Sequence, residues 1–245
     1  MTWALFTPKG FGPYFPDGDF VGWDEQLDEY FETEISRAEK ERMLKKYYDK
    51  EDVRFGKSEL WNIRRYWRLQ VVFSLIAEND DFVEQETLLD PRLFPRIFKT
   101  TRTYKDLAAM IETIDRIVAV NEALKNIIER LEPGVHQFYP FRIVMPRGKE
   151  YPEPYYILRI GRVLDSFIPV EGTYRGTPGE ESLSVIYTLK KYINKLTFSK
   201  QKIGGAHLWR EKNLYRPNIL MSDTLKQAID DAGLRIFRHY KVKEA

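Results

Sequence analysis

Two distant segments of this chain are spelled alike, and any fold must accommodate both: residues 117–128 are echoed by residues 218–229. Each begins with a short apolar run and then places a helix-capping side chain, Asn121 or Ser222, ahead of an acidic first-turn residue, Glu122 or Asp223. Leu124 with Ile128, and Leu225 with Ile229, supply an i, i+4 apolar pair for one buried helix face. Gly134 and Gly233 end the helices, after which residues 135–138 parallel residues 234–237 as returning strands. Strand, short helix and strand thus occur twice. Two copies are too few for a solenoid, so the repeat predicts duplicated building blocks within one α+β domain built on a mixed sheet.

The text around the copies fits that class. Phe141, Ile143 and Met145 alternate with Arg142 and Val144, and Tyr156, Leu158 and Ile160 alternate with Tyr155, Ile157 and Arg159, as strands do. Residues 146–154, rich in Pro and Gly, join them as a long hairpin-like connection. Residues 172–179 read as a loop, 183–196 as a helix through Ile186, Leu189 and Ile193, and 205–210 as a strand.

The first hundred residues are helix-rich by pattern. After a short strand at 2–6, residues 9–18 are too punctuated by Gly and Pro for regular structure. They are also too aromatic for a linker, because burying each of Phe11, Tyr14, Phe15 and Phe20 gains ~1.5–3 kcal/mol. Residues 24–50 lack Gly and Pro and space Leu27, Phe31, Ile35 and Ala38, then Leu44 and Tyr48, as a helix beneath a solvated charged face. Residues 59–78 give the clearest helical stripe, through Leu60, Ile63, Trp67, Val71 and Leu75. Pro91 and Pro95 forbid a continuous helix and mark a seam. Beyond it Thr103 is positioned to cap a helix over 104–114 through Leu107, Met110, Ile111 and Ile114. The expected division is a helix-rich part at 1–99 and an α+β part at 100–245, closely packed or continuous as one domain, which 245 residues allow.

Composition narrows the chemistry. Lys plus Arg at 39 against Asp plus Glu at 37 gives a net charge of +2, far from the excess that a dedicated binder of phosphate backbones carries. The absence of cysteine removes disulfides, thiol nucleophiles and zinc fingers. No apolar run approaches the length of a membrane span, and the amino-terminal run stops at Thr7-Pro8, too short for a signal peptide, so a cytoplasmic protein with no membrane partner is expected.

Motifs for catalysis are missing. Gly56-Lys57-Ser58 lacks the earlier glycine of a phosphate loop, because Glu51 occupies that place, and Gly172, Gly176 and Gly179 do not have dinucleotide spacing. His136, His207 and His239 have no i, i+4 histidine partner, and His207 and His239 read as structural, while Asp17-Gly18-Asp19 reads as a turn rather than a calcium loop. No catalytic, metal-binding or cofactor-binding residue is therefore assigned, and no cofactor is expected. What stands out is aromatic and arginine residues on expected loops, the types that dominate binding hot spots: Tyr14, Phe15, Trp23, Tyr174, Arg175, Trp209, Arg210 and Tyr215. Two other readings stay open. One is a nucleic-acid-binding module on Trp61, Arg64, Arg65, Trp67 and Arg68; the other is a hydrolase using a carboxylate pair.

Residues 204–210, then 219–229 and 232–234, resemble the carboxyl-terminal signature of a bacterial immunity-protein family of polymorphic toxin systems, first noticed in a myxobacterial protein. Residues 131–140 and 155–158 are similar to its middle region, so the likeness spans about 85–240. The chain departs from the pattern at Arg235, where a second glycine is common, and in an insertion-like stretch at 180–195. The resemblance implies a small cytoplasmic protein, made beside a toxin often delivered by contact-dependent secretion, that binds this toxin and occludes it. It brings no catalytic residue to carry over.

Overall fold

A computed structural model describes residues 1–50, 59–76, 88–170, 174–175, 183–185, 193, 195–212, 214–216 and 218–245, with the side chains of 44–50, 59–63, 174–175, 183–185 and 215–216 outside that description. In chain order the elements are β1 (Thr2–Phe6), β2 (Gly18–Phe20), α1 (Trp23–Thr33), α2 (Arg37–Lys50), α3 (Glu59–Ile76), β3 (Ile97–Thr100), β4 (Met110–Glu112), β5 (Val118–Asn121), α4 (Glu122–Leu131), β6 (Gln137–Val144) and β7 (Tyr155–Arg159). There follow β8 (Val163–Leu164), β9 (Phe167–Ile168), β10 (Tyr174–Arg175), β11 (Leu183–Val185), β12 (Thr197–Phe198), the short helix α5 (Lys200–Ile203), β13 (Leu208–Glu211), β14 (Leu214–Arg216), β15 (Ile219–Ser222), α6 (Asp223–Asp231) and β16 (Arg238–Glu244). The class is α+β.

The strands form a six-stranded sheet, β2-β3-β6-β7-β5-β4, a seven-stranded sheet, β8-β13-β15-β1-β16-β12-β9, and a small three-stranded sheet, β10-β11-β14. The duplication seen in the sequence extends through both large sheets. In the first, β5 and β6 flank β7 and run antiparallel to it; in the second, β15 and β16 flank β1 in the same way. Outward, β4 and β13 pair antiparallel with β5 and β15, while β3 and β12 pair parallel with β6 and β16. Beyond these, β2 and β9 close the series antiparallel. The matching elements also follow one another in the same chain order, with one exception: the central strand of the second unit is β1, from the other end of the chain.

Both helices of the repeat are capped as expected. Asn121 accepts from the Leu124 N–H and Ser222 from the Leu225 N–H, both at 3.1 Å. Gly134 and Gly233 end the two helices with φ of +72° and +62°, a conformation that strains any residue with a Cβ. Helices α4 and α6 pack face to face, and Leu124, Ile128, Leu225 and Ile229 share one core with Leu5, Met221, Val118 and Leu158 from the two sheets. The outer face of the six-stranded sheet is covered by α1 and α3, whose Leu27, Phe31, Trp67, Val71 and Leu75 meet Phe98, Phe141 and Ile157. On the other face of the seven-stranded sheet, Ile203 and Leu214 share a core with Ala4, Phe198, Trp209 and Leu220. Pairing of β1 with β15 and β16, and of β3 with β6, joins residues on either side of the seam near residue 99.

Several local expectations are corrected. Residues 24–50 form two helices rather than one, because the Ser36 N–H and hydroxyl donate to Glu39 at 3.0 and 2.7 Å while the Glu39 N–H donates back to Ser36 at 3.3 Å, a capping box that starts α2. Residues 104–114 are not a helix. Residues 107–111 are all buried, so they demand cover on both faces, and they run extended into β4, with Leu107 N–H bonded to the Tyr151 hydroxyl and Ala108 N–H to the Pro13 carbonyl. Leu183–Val185 and Tyr174–Arg175 are strands where a helix and a loop were expected, and the expected turn at Asp17-Gly18-Asp19 leads straight into β2. Gly56-Lys57-Ser58, Glu51, residues 77–87, Gly172, Gly176, Gly179 and most of 180–195 lie outside the described residues. Among the described residues, no helix is long and apolar enough to cross a membrane.

Candidate functional site

The eight residues singled out in the sequence are not equally available. Trp23 opens α1 and is buried, its indole N–H donating to the Leu93 carbonyl at 2.9 Å. Trp209 and Arg210 lie in β13 rather than on a loop, at 0% and 3% exposure, because both faces of that sheet are covered. Tyr174 and Arg175 in β10 and Tyr215 in β14 are brought onto the small third sheet, with their side chains outside the description. Tyr14 and Phe15 stay half-buried on the 9–18 loop.

The helix proposed for nucleic acid is spent elsewhere. Trp67 is buried and stacks on Tyr30 at 5.8 Å, Arg68 pairs with Asp24 and Asp28, and Arg64 pairs with Asp28 and Glu32. The acids of α1 thus pair with Arg64 and Arg68 of α3. The Trp61 side chain is outside the description.

Two buried carboxylates have closed hydrogen-bond shells. Glu132 lies 2.9 Å from His136 Nε2 and accepts from Arg162 at 3.1 Å and from the Leu208 N–H at 2.8 Å. The Gly161 N–H donates to His136 Nδ1, which leaves the ring proton on Nε2 to serve Glu132. Burial opposes ionisation of Glu132, but the donors from His136 and from the His207 and Leu208 backbone together hold its carboxyl below the usual range. Glu211 accepts from the Ser166 amide and hydroxyl and from the Phe167 amide at 2.7, 2.6 and 3.0 Å, and burial pushes its carboxyl up to about 7. Among the described residues, no group of three or more His, Cys, Asp or Glu side chains could hold a metal.

One open groove, of about 710 Å³, contains a residue the sequence pointed to. It lies where β1 ends and β16 begins and is lined by residues 6–9, Tyr14 and residues 236–240. The 9–18 loop is held beside it by reciprocal Gly12–Phe15 backbone bonds and by the Pro13 and Tyr14 carbonyls, which accept from Ala108 and Glu112 at 2.9 and 2.8 Å. The loop therefore bridges the two large sheets. Its aromatics were expected to bury, but only Phe20 does; Phe11 is 56% exposed and lies against Phe15 with ring centroids 4.9 Å apart.

A second groove, of about 680 Å³, escaped the sequence reading. Its floor is Phe94, Tyr139, Phe141 and Tyr155 and its rim includes Pro91, Pro140, Pro152 and Pro154 with Arg92, Arg96 and Arg142. Arg92 pairs with Asp90 and Glu34, each at 2.8 Å, and Arg142 with Glu150 at 2.7 Å. The signal was present as aromatic, Pro and Arg clusters at 91–96, 139–143 and 150–155, which the β3–β6 and β6–β7 pairings assemble.

No curated protein matches the chain. A family model, by contrast, covers nearly all of it, the immunity protein family Imm11 over residues 17–244. That span holds both strand-helix-strand copies and the β16 side of the first groove. The chain belongs to the Imm11 immunity protein family.

Proposed function

We propose that this protein is the binding antidote of a polymorphic toxin system, made in the cytoplasm beside a toxin such as a type VI secretion effector, which it neutralises by covering the toxin's working surface rather than by turnover. The single observation that carries the reading is the bridging loop: in a member of an immunity family, it holds Tyr14 in an open groove and leaves Phe11 exposed against Phe15 on the same loop. Exposed aromatics on a fastened loop suit a hot spot, since little entropy is lost when the partner arrives. Tyr174, Arg175 and Tyr215, whose strands belong to the third sheet, are further contact candidates from the sequence. Protection at low protein concentration calls for a Kd near ~1 nM, within reach of an interface of about 1,600 Å².

The test is to express the neighbouring open reading frame with and without this chain. The expected result is growth arrest by the neighbour alone, relieved by co-expression, with relief lost in a Tyr14→Ala/Phe15→Ala variant whose unfolding midpoint is unchanged. A neighbour whose toxicity is untouched by co-expression would sink the reading for that pair, and relief that survives the double variant would move the interface elsewhere.

A further inference from the structure

We propose that the partner presents an acidic protein face, which docks on a cationic patch made by residues 101–107 and residues 145–151 of the β6–β7 connection, beside the bridging loop. The proposal rests on the partner-binding reading of that loop and adds the chemistry of the surface it meets.

The first argument is continuity. The 9–18 loop is fastened to residues 101–107: the Thr101 N–H and hydroxyl donate to the Asp17 carbonyl and carboxylate at 2.9 and 2.6 Å, and the Asp17 N–H donates to the Tyr104 hydroxyl at 2.7 Å. Residues 101–107 are in turn bonded to the β6–β7 connection, through the Tyr104 N–H to Met145 Sδ at 3.4 Å and the Leu107 N–H to the Tyr151 hydroxyl at 2.8 Å. A partner seated on the aromatic loop therefore has the connection within the same footprint.

The second argument is charge. Asp17, Asp106 and Glu150, the acids of these three segments, are already paired with Arg102, Arg235 and Arg142 at 3.2, 2.6 and 2.7 Å. On the neighbouring strands, Asp19 stands across from Lys99. Left over are Lys105, Arg147 and Lys149, all exposed, whose side chains have no hydrogen bond or ion pair among the described residues. These three cations alone exceed the net charge of +2 of the whole chain, so the positive field is concentrated here and attracts the opposite sign. Arg147 is also held at a φ of +65°, a conformation that glycine or asparagine adopts with less strain, so a cation stands at the tip of the connection against local backbone preference. The patch itself holds no exposed ring for a base to stack on, because Tyr151 is buried and Tyr104 half-buried, each with its hydroxyl bonded to backbone. Carboxylates on a protein face thus fit better than a nucleic acid. They would speed encounter, and the aromatic loop would then hold the complex.

The probe is fluorescently labelled polyglutamate, titrated into the full chain and followed by anisotropy, with single-stranded DNA of the same length as the competing anion. The wild type should bind polyglutamate, less tightly as salt is raised, and more tightly than it binds the DNA. Lys105→Glu/Arg147→Glu/Lys149→Glu should weaken binding by about tenfold or more. Arg130→Glu/Lys241→Glu/Lys243→Glu, which reverses as many exposed charges on α4 and β16, should change it far less. A wild type that does not bind polyglutamate, equal losses in the two variants, or tighter binding of the DNA overturns the proposal. Co-expression with the neighbouring open reading frame separates this failure from that of the underlying reading. Protection that survives the reversal of the patch but is lost with Tyr14→Ala/Phe15→Ala rejects the acidic face and keeps the loop, whereas protection that survives both rejects the loop as well.

Discussion

The two repeat units agree where their helices meet their sheets and differ where the helices end. In the first, the Tyr156 hydroxyl on the central strand donates to Glu122 at 3.4 Å; in the second, the Trp3 indole donates to Asp223 at 2.9 Å. Lys125 lies 5.3 Å from the Tyr156 ring and pairs with Glu129, while Lys226 lies 5.1 Å from the Trp3 ring and pairs with Asp230. The same four roles recur, with the three helix residues at the same spacing. At the helix end the units part: Glu132, the C-cap of α4, takes a buried position served by His136, Arg162 and Leu208, whereas the C-cap of α6 is Ala232. The comparison teaches that capping and cation–aromatic contacts are requirements of the unit itself, whereas the buried glutamate is an added tie between α4 and β13, one unit to the other.

Three measurements test that division. Glu132→Ala should produce the largest loss, about 3–5 kcal/mol by urea unfolding, because it strands a buried imidazole, a guanidinium and an amide donor. A loss below ~1 kcal/mol would mean that the two units are held together by their apolar contacts alone. Next comes the pH dependence of the two buried glutamates, whose signs are opposite. Glu211, raised to about 7 from 4.5, keeps a proton in the folded chain that the unfolded chain releases, so its contribution is present below 4.5 and is lost as pH rises toward 7. Glu132, lowered, contributes above its unfolded value and loses that contribution as pH falls through its folded value. Thermal melts from acid to neutral pH should show the Glu211→Gln variant losing less stability than the wild type on the neutral side, by on the order of 1–3 kcal/mol; parallel curves would refute the assignment. Smallest are the caps. Asn121→Ala and Ser222→Ala should each cost about 1 kcal/mol, and a clear inequality would show that the units are less alike than their geometry.

Much of this was legible before any coordinates. The strand at 2–6, both caps, both terminating glycines and the i, i+4 apolar pairs depend on near neighbours in the chain, and local spacing reports them. The break at Ser36 was written in the sequence as Ser-x-x-Glu, but the apolar periodicity continues across it and hides it. The run at 107–111 fits helical spacing and a buried strand equally, and only its neighbours Pro13 and Tyr151 decide. The site was harder. Trp209 resembles a surface anchor until both faces of its sheet prove to be covered, and the second groove is divided among three separate segments. Strands as short as β9 and β12 carry no signal of their own, so the full extent of the duplication lay beyond reach.

The placement of β1 has a temporal consequence. As the centre of the seven-stranded sheet it bonds to β15 and β16, both of which are synthesised roughly two hundred residues after it. The second unit cannot therefore assemble until those strands have been made, and contacts of such high order are expected to make folding slow, on the scale of milliseconds to seconds. Until then the first strand is an unpaired edge at risk of aggregation.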